Sequence, residues 1–282
     1  MVGSTDVMVF AVNQRVVVEP DYRSISLIPM RIAKKIILFL ILFCLTVFVV
    51  RQVIVTYPMV LFGWKTQSGN LILYSDQPFE ETDGVRELET VRGKLQRSPL
   101  YSEAKNYRIF LCNRKSRRAL LFFPIYEARG LNYPCVRNAF LCGGVVKDDA
   151  LLLPNGTVVR NGLPLSYYAT HEITHSLTND TMGVWKYMFI PEWIREGYAD
   201  YVGRGSLLKQ QGMVEAFLAD APEMNFPAKA PYMRFNILVG YCLETLGMSE
   251  EALLCSRISR KEIETRVRVD FEGGKEPIDI TE

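Results

Sequence analysis

The hydrophobic pattern separates an apolar N-terminal run from a longer stretch of short, mixed elements. Residues 36–50 are apolar except for Thr46, and a shorter apolar stretch resumes after Arg51 and Gln52. A helix that crosses the hydrocarbon core of a bilayer needs about 20 such residues. With the side chain of Arg51 reaching toward the interface, the pattern predicts a transmembrane signal anchor over residues 36–56.

Basic residues set the expected orientation of this anchor. Arg31, Lys34 and Lys35 precede the apolar run and outnumber the cations that closely follow it. Because positive charge accumulates on the cytoplasmic side, we expect a cytosolic N-terminal tail over residues 1–35 and a domain on the non-cytoplasmic side. A cleaved signal peptide and a secreted domain are the alternative, although no A-x-A-like cleavage site follows the run.

The remainder, residues 65–282, has the pattern of one mixed domain. Apolar or alternating stretches predict strands at residues 71–74, 107–112, 138–142 and 150–153, and helical spacing at residues 80–97 predicts a helix. Helical patterns dominate after residue 164. Strands followed by helices predict an α+β fold, with an antiparallel-rich sheet preceding a helical half and the active site between them.

The candidate chemistry lies in residues 166–178, which contain the only two histidines of the chain. His171, Glu172 and His175 form an H-E-x-x-H pattern. Residues four apart on a helix project from nearly the same face, so His171 and His175 can bind one metal ion. Zinc suits such a site because it accepts nitrogen and carboxylate ligands and leaves a position for water, which Glu172 can reach.

A third ligand is expected from a second helix. A catalytic zinc site needs three protein ligands. Residues 191–201 predict a helix on which Glu196 and Asp200 lie four residues apart. We assign Glu196 as the third ligand. We expect Asp200, one turn further on, to accept the N–H of a zinc-bound histidine and fix its tautomer.

The H-E-x-x-H motif, followed by a separate E-x-x-x-D helix, resembles the gluzincin metallopeptidases, the thermolysin-like group. The W-x-x-E-G-x-A form of residues 193–199 resembles a helix of gluzincin aminopeptidases and of related small membrane or secreted peptidases. The resemblance covers about residues 165–201. It implies a zinc-dependent peptidase in which the two histidines and Glu196 bind the metal and Glu172 is the general base.

The resemblance also implies two features around the metal. In gluzincins a sheet-edge strand before the zinc helix holds the substrate backbone, which here implies a strand within residues 140–153. The tetrahedral oxyanion needs a donor besides the metal, and no histidine remains to supply it. Tyr232 and Tyr241 are predicted for this role. Arg234 and Tyr198 are further candidates, and core packing is the alternative for each.

Composition restricts the expected partners. The formal net charge is +2, so no polyanion partner is implied, and no phosphate loop, dinucleotide fingerprint or nucleic-acid module is present. The expected partners are a peptide or protein substrate and, through the anchor, a lipid bilayer; the oligomeric state is open. A catalytically inactive metal-binding module that interacts with envelope or extracellular components is the alternative function.

The six cysteines leave two interpretations open. In an oxidising compartment, Cys135–Cys142 and Cys242–Cys255 are conceivable bridges. Buried free thiols are the alternative, because cysteine is among the most buried residue types.

Overall fold

The structure is a computed structural model that describes residues 30–134, 136–153, 155–159, 163–226 and 231–272. Its described α-helices are α1 (Met30–Thr56), α2 (Glu81–Leu95), α3 (Lys115–Leu121), α4 (Leu165–Met182), α5 (Val184–Met188), α6 (Glu192–Arg204), α7 (Met213–Leu218), α8 (Tyr232–Gly240), α9 (Glu250–Cys255) and α10 (Arg260–Glu272). The described strands are β1 (Trp64–Ser68), β2 (Leu71–Ser75), β3 (Tyr107–Leu111), β4 (Gly130–Asn132), β5 (Asn138–Leu141), β6 (Gly144–Val145) and β7 (Ala150–Leu151).

The chain divides between Val50 and Arg51 into two compact units. The first unit contains most of α1, and the part of the predicted cytosolic tail before Met30 lies outside the described residues. Helix residues Arg31–Thr56 are long and apolar enough to cross a membrane, a property that signal sequences near an N-terminus share. The predicted apolar N-terminal helix is therefore confirmed as a helix.

The second unit begins at Arg51, earlier than the predicted Lys65, because the domain holds the last turns of α1. Val55 is buried. Asn138 Nδ2 donates a hydrogen bond to the Val55 carbonyl oxygen at 2.8 Å. The Arg51 guanidinium donates to the Phe123 carbonyl oxygen at 2.9 Å. The final turns of α1 are therefore part of the folded domain.

A mixed five-stranded sheet with the order β1-β2-β3-β5-β4 forms the first half of this α+β domain. The outer pairs β1–β2 and β4–β5 are antiparallel, whereas the inner pairs β2–β3 and β3–β5 are parallel. The sheet is therefore mixed, with two antiparallel and two parallel pairs, where the sequence predicted an antiparallel-rich one. Parallel neighbours need crossover connections, and α2 lies between β2 and β3 while α3 lies between β3 and β5.

Two hydrophobic clusters lie on either side of the contact between α4 and α6. The first cluster packs the sheet against α2 and α4, with Leu88, Phe140 and Ile173 among its buried residues. The second cluster packs α6, α8, α9 and α10, with Ile194 and Leu238 among its buried residues. Helices α4 and α6 therefore meet where the sheet half joins the helical half.

The start of α4 is held by a carboxylate from outside the helix. Pro164, at the N-cap position, makes no side-chain capping bond. Asp149 accepts hydrogen bonds from the Ser166 amide at 2.7 Å and from the Ser166 hydroxyl at 2.8 Å. These bonds satisfy a donor that the first turn leaves free, and negative charge at this end suits the helix dipole.

The described cysteines form no disulfide. Cys112, Cys142 and Cys242 are buried free thiols, and Cys44 and Cys255 are exposed free thiols. The conceivable Cys242–Cys255 bridge is therefore not formed. The other conceivable bridge involves position 135, which lies outside the described residues.

Glu87 of α2 is buried beside Asp149. Burial raises the pKa of the Glu87 carboxyl to about 8, and the charge of Asp149 contributes in the same direction. The folded chain therefore keeps a proton that the unfolded chain releases above its ordinary pKa of 4.5. The stability that this proton gives is fully present below pH 4.5 and is lost as the pH rises toward 8.

We expect Glu87→Gln to weaken this loss of stability, because glutamine fills the same space without titrating. The free energy of unfolding should fall between about pH 5 and about pH 9 in both proteins. The fall should be smaller in the variant than in the wild type, and the two falls should differ by ~2–5 kcal/mol. Urea denaturation of both proteins in one detergent measures this. Glu81→Gln, at an exposed position of the same helix, is the control. If the free energy of unfolding of Glu87→Gln changed with pH as it does in the wild type, the expectation would be contradicted.

Candidate metal centre

Three donor groups from two helices converge at one point. His171 and His175 come from α4, and Glu196 comes from α6. The Nε2 atoms of His171 and His175 lie 3.3 Å and 3.4 Å from Glu196 Oε2. The three ligand atoms all lie within 4.8 Å of one another. The structure thus brings the three predicted ligands together in a group that could hold a metal ion.

The two distances from the histidine nitrogens to the Glu196 carboxylate fit a tetrahedral cation. Bonds of about 2.0–2.1 Å at tetrahedral angles place neighbouring ligand atoms about 3.3–3.4 Å apart. The distances between the imidazole nitrogens and the carboxylate oxygen match this value. Two imidazoles and a carboxylate suit zinc, and the same donors also bind other divalent first-row transition metals.

The charges within the cluster keep Glu196 ionised, and they also favour the protonated form of His171, which must lose its proton to bind a metal. Burial alone would raise the pKa of Glu196, but His175 and His171 outweigh it and hold that pKa well below its ordinary value. Burial alone would lower the pKa of His171, but its bond to Glu196 and the charge of Glu172 raise it overall. Glu196 is therefore an anion at neutral pH, the form that binds a metal.

Glu172 is buried next to the ligands. Burial raises the pKa of its carboxyl group above the ordinary value, against the lowering influence of His171 and His175. A raised pKa suits a general base that works near neutral pH. Gly130 of β4 lies directly against this side chain, since a Cβ at position 130 would come within 2.8 Å of Glu172 Cγ and Cδ. Strand β4 and the Glu172 side chain therefore fit together because position 130 is a glycine.

The sheet edge beside α4 is β4. The strand order places β4 at the edge and β5 inside the sheet, and β6 pairs with β7 in a separate small sheet. Asn132 Nδ2 donates to Ser176 Oγ at 2.7 Å, and Arg129 Nη1 donates to the Tyr168 hydroxyl at 2.8 Å. These bonds tie β4 to α4. Strands β6 and β7 lie within residues 140–153, where an edge strand was implied, but the edge of the five-stranded sheet beside α4 is β4, earlier in the chain.

Asp200 is fully buried. It was predicted to accept a hydrogen bond from one of the two histidines, but it binds other residues. Its Oδ1 accepts the Tyr167 hydroxyl at 2.5 Å, and its Oδ2 accepts Asn236 Nδ2 at 2.9 Å. Arg204 Nε lies 3.2 Å from Oδ2. Among the described residues, the Nδ1 atoms of both histidines have no hydrogen-bond partner. Asp200 instead joins α4, α6 and α8.

Of the four candidates for the oxyanion donor, Tyr232 lies against the cluster. Its ring meets the His171 ring edge-on, with 5.5 Å between the centroids. The other three side chains bind elsewhere: Tyr241 to Asp270, Tyr198 to Ser98 and Arg234 to Asp220. The structure therefore does not direct the Tyr241 hydroxyl toward the metal ligands, contrary to its predicted catalytic placement.

Two side chains at the site carry no signal in the sequence pattern. The Tyr187 ring lies 6.4 Å from the His175 ring, between centroids. Arg195 Nε lies 3.2 Å from Glu196 Oε1, and its guanidinium lies over the Tyr187 ring. Arg195 thus contacts the carboxylate oxygen that does not face the histidines. It occupies an unspecified position of the W-x-x-E-G-x-A form, so the motif does not mark it.

We expect Asp200→Asn to act on the stability of the domain. Removing the charge leaves the Arg204 guanidinium poorly paired in a largely buried place, so the free energy of unfolding should fall by ~2–4 kcal/mol. Urea denaturation of the metal-free proteins measures this, with the exposed Asp148→Asn as control. An unchanged midpoint together with a tenfold or greater loss of metal affinity would instead support the predicted bond to a histidine.

Comparison of the chain with protein-family models, with curated proteins and with solved structures found no match.

Proposed function

We propose that this protein is a zinc-dependent peptidase anchored in a membrane by α1. One observation carries the proposal: the Nε2 atoms of His171 and His175 lie 3.3 and 3.4 Å from one carboxylate oxygen of Glu196. Glu172 is buried beside the same ligands and has a raised pKa. The resemblance of residues 165–201 to gluzincin peptidases supports the same reaction.

The two histidines and Glu196 would hold the metal. When bound, a zinc ion supplies a Lewis acid that polarises a peptide carbonyl and lowers the pKa of water. Glu172 accepts a proton from the attacking water and returns it to the leaving amine. Tyr232 donates a hydrogen bond to the oxyanion that forms on the substrate. Burial and the charges of Glu196 and Glu172 raise the pKa of Tyr232, so its hydroxyl keeps the proton that it donates.

The substrate class proposed is an extended polypeptide. An edge strand offers backbone N–H and C=O groups with which a peptide can pair, and such pairing has little sequence preference. β4 is an edge strand of this kind, and its Gly130 contacts Glu172. A peptide paired with β4 would bring its backbone close to the general base. Because no G-x-M-E-N-like acidic anchor for a substrate amine precedes the motif, we propose an endopeptidase rather than an aminopeptidase.

The proposed location is a membrane, with a single span and the domain on the non-cytoplasmic side. The length and apolar character of α1 support the span. Arg31, Lys34 and Lys35 at its start support an N-terminus on the cytoplasmic side. Secretion after cleavage of a signal sequence is the alternative.

Two substitutions separate metal binding from hydrolysis. Glu172→Gln should keep zinc and lose cleavage of an unfolded protein by about 10²–10⁴-fold, because the proton acceptor is gone. His175→Ala should lose both zinc and cleavage, because one of three ligands is missing. Atomic absorption after dialysis and a chelator-sensitive cleavage assay measure the two properties. Equal zinc content in His175→Ala and wild type would contradict the ligand assignment. A wild-type protein that binds zinc but cleaves nothing would favour the inactive metal-binding module.

Gly130→Ala should lower cleavage by roughly 10²-fold while zinc content stays unchanged. The added Cβ would meet the Glu172 side chain and displace its carboxylate from the water. Gly93→Ala is the matched control, because a Cβ at that position meets no atom within 4 Å. Wild-type cleavage by Gly130→Ala would show that this contact does not position the base.

A further inference from the structure

Six large apolar side chains of the domain are exposed in two short segments. The first segment follows α3, and the second lies on and just after α5. Their members are 47 to 80% exposed: Phe123, Ile125, Tyr126, Trp185, Met188 and Phe189. Exposed apolar groups that occur together mark sites of contact with proteins or membranes.

The first segment is bound to the residue that directly follows the apolar run of α1. Arg51 donates to the Phe123 carbonyl oxygen at 2.9 Å and to the Tyr133 hydroxyl at 3.2 Å. The guanidinium also lies over the Tyr133 ring. If α1 spans a bilayer, the predicted span ends five residues after Arg51, whose side chain reaches toward the interface. The backbone at Phe123, which accepts the Arg51 hydrogen bond, then lies near that interface.

A second bond ties α3 to the chain just beyond α1. Arg117 Nε donates to the Leu61 carbonyl oxygen at 3.0 Å. Leu61 ends a short 3₁₀ turn that begins at Pro58. The segment that contains Phe123 is therefore held to the membrane-proximal chain at both Arg51 and Leu61.

The second segment begins beside the same part of the chain. Tyr57, Met59, Gly183 and Val184 are among the residues that line a cavity of about 470 Å³. Val184 is the first residue of α5 and precedes Trp185. The start of α5 and the chain that directly follows α1 therefore line the same cavity.

We propose that residues 123–126 and 185–189 are a second contact between the domain and the bilayer in which α1 is anchored. Tryptophan and tyrosine favour the interfacial layer of a membrane, and both segments contain one of them. Lys115 and Lys186 are exposed close to these segments in sequence and suit anionic headgroups. The proposal rests on the anchoring role of α1 proposed above, and it is independent of hydrolysis.

The test uses the full chain in vesicles of phosphatidylcholine and phosphatidylglycerol. In a background with Cys44, Cys135 and Cys255 replaced by serine, an environment-sensitive fluorophore is attached to Ile125→Cys or to Phe189→Cys. The matched control is Val269→Cys on α10, which is 64% exposed, compared with 57% for Ile125. Because all three positions are on the surface, the labelled chains should fold.

We expect brominated lipid to quench the labels at 125 and 189 several-fold more than aqueous iodide does. At position 269 we expect iodide to quench the label several-fold more than brominated lipid does. Iodide quenching at 125 and 189 equal to that at 269, in chains that float with the vesicles, would overturn the membrane contact and leave the anchor intact. Chains that do not float would overturn the anchor and the contact together. Labels at 125 and 189 that neither quencher reaches would show that another copy of the chain covers this face, which also overturns the proposal.

Discussion

The arrangement of the metal centre depends on a buried anion that touches none of the ligands. Asp200 accepts hydrogen bonds from Tyr167 of α4 and from Asn236 of α8, and it pairs with Arg204 of its own helix α6. The ligand histidines, Glu196 and Tyr232 come from these same three helices. A buried charge must keep its partners, because removing one of them costs several kcal/mol. The ion pair and its hydrogen bonds therefore set the spacing of helices whose other residues converge on the candidate metal site.

The proximity of the two histidines could be predicted from sequence because their relation is local. Two histidines four residues apart share one face of any α-helix, so the motif alone places His171 beside His175. The partners of Asp200 depend on packing with α8, which spacing along α6 does not encode. Tyr241 was wrongly predicted as a catalytic residue for a related reason. Nine residues after Tyr232 it lies on the opposite face of a regular helix, and its hydroxyl binds Asp270.

The sheet illustrates that the hydrophobic pattern of a sequence can identify strands without predicting how they pair. The central strands β2 and β5 are buried along their whole length, and strands buried on both faces appear as continuous apolar runs. Such runs reveal a strand but not whether its neighbour is parallel. β4 is three residues long and begins with glycine, which is too short for alternation to be recognised. The edge strand beside Glu172 could therefore be located only through its pairing with β5 and its bonds to α4.

Helix α5 joins the two halves of the metal centre, since it follows the histidine helix α4 and precedes the Glu196 helix α6. On its buried side, Tyr187 packs against His175 and lies under Arg195, which contacts Glu196. On its outer side, Trp185 and Met188 are exposed. A helix of five residues is too short to be stable by itself, so its position depends on what covers these two sides. Lipid on the outer side, as proposed above, would hold Tyr187 against His175, and the bilayer would then help to order the connection between the helices that carry the candidate metal ligands.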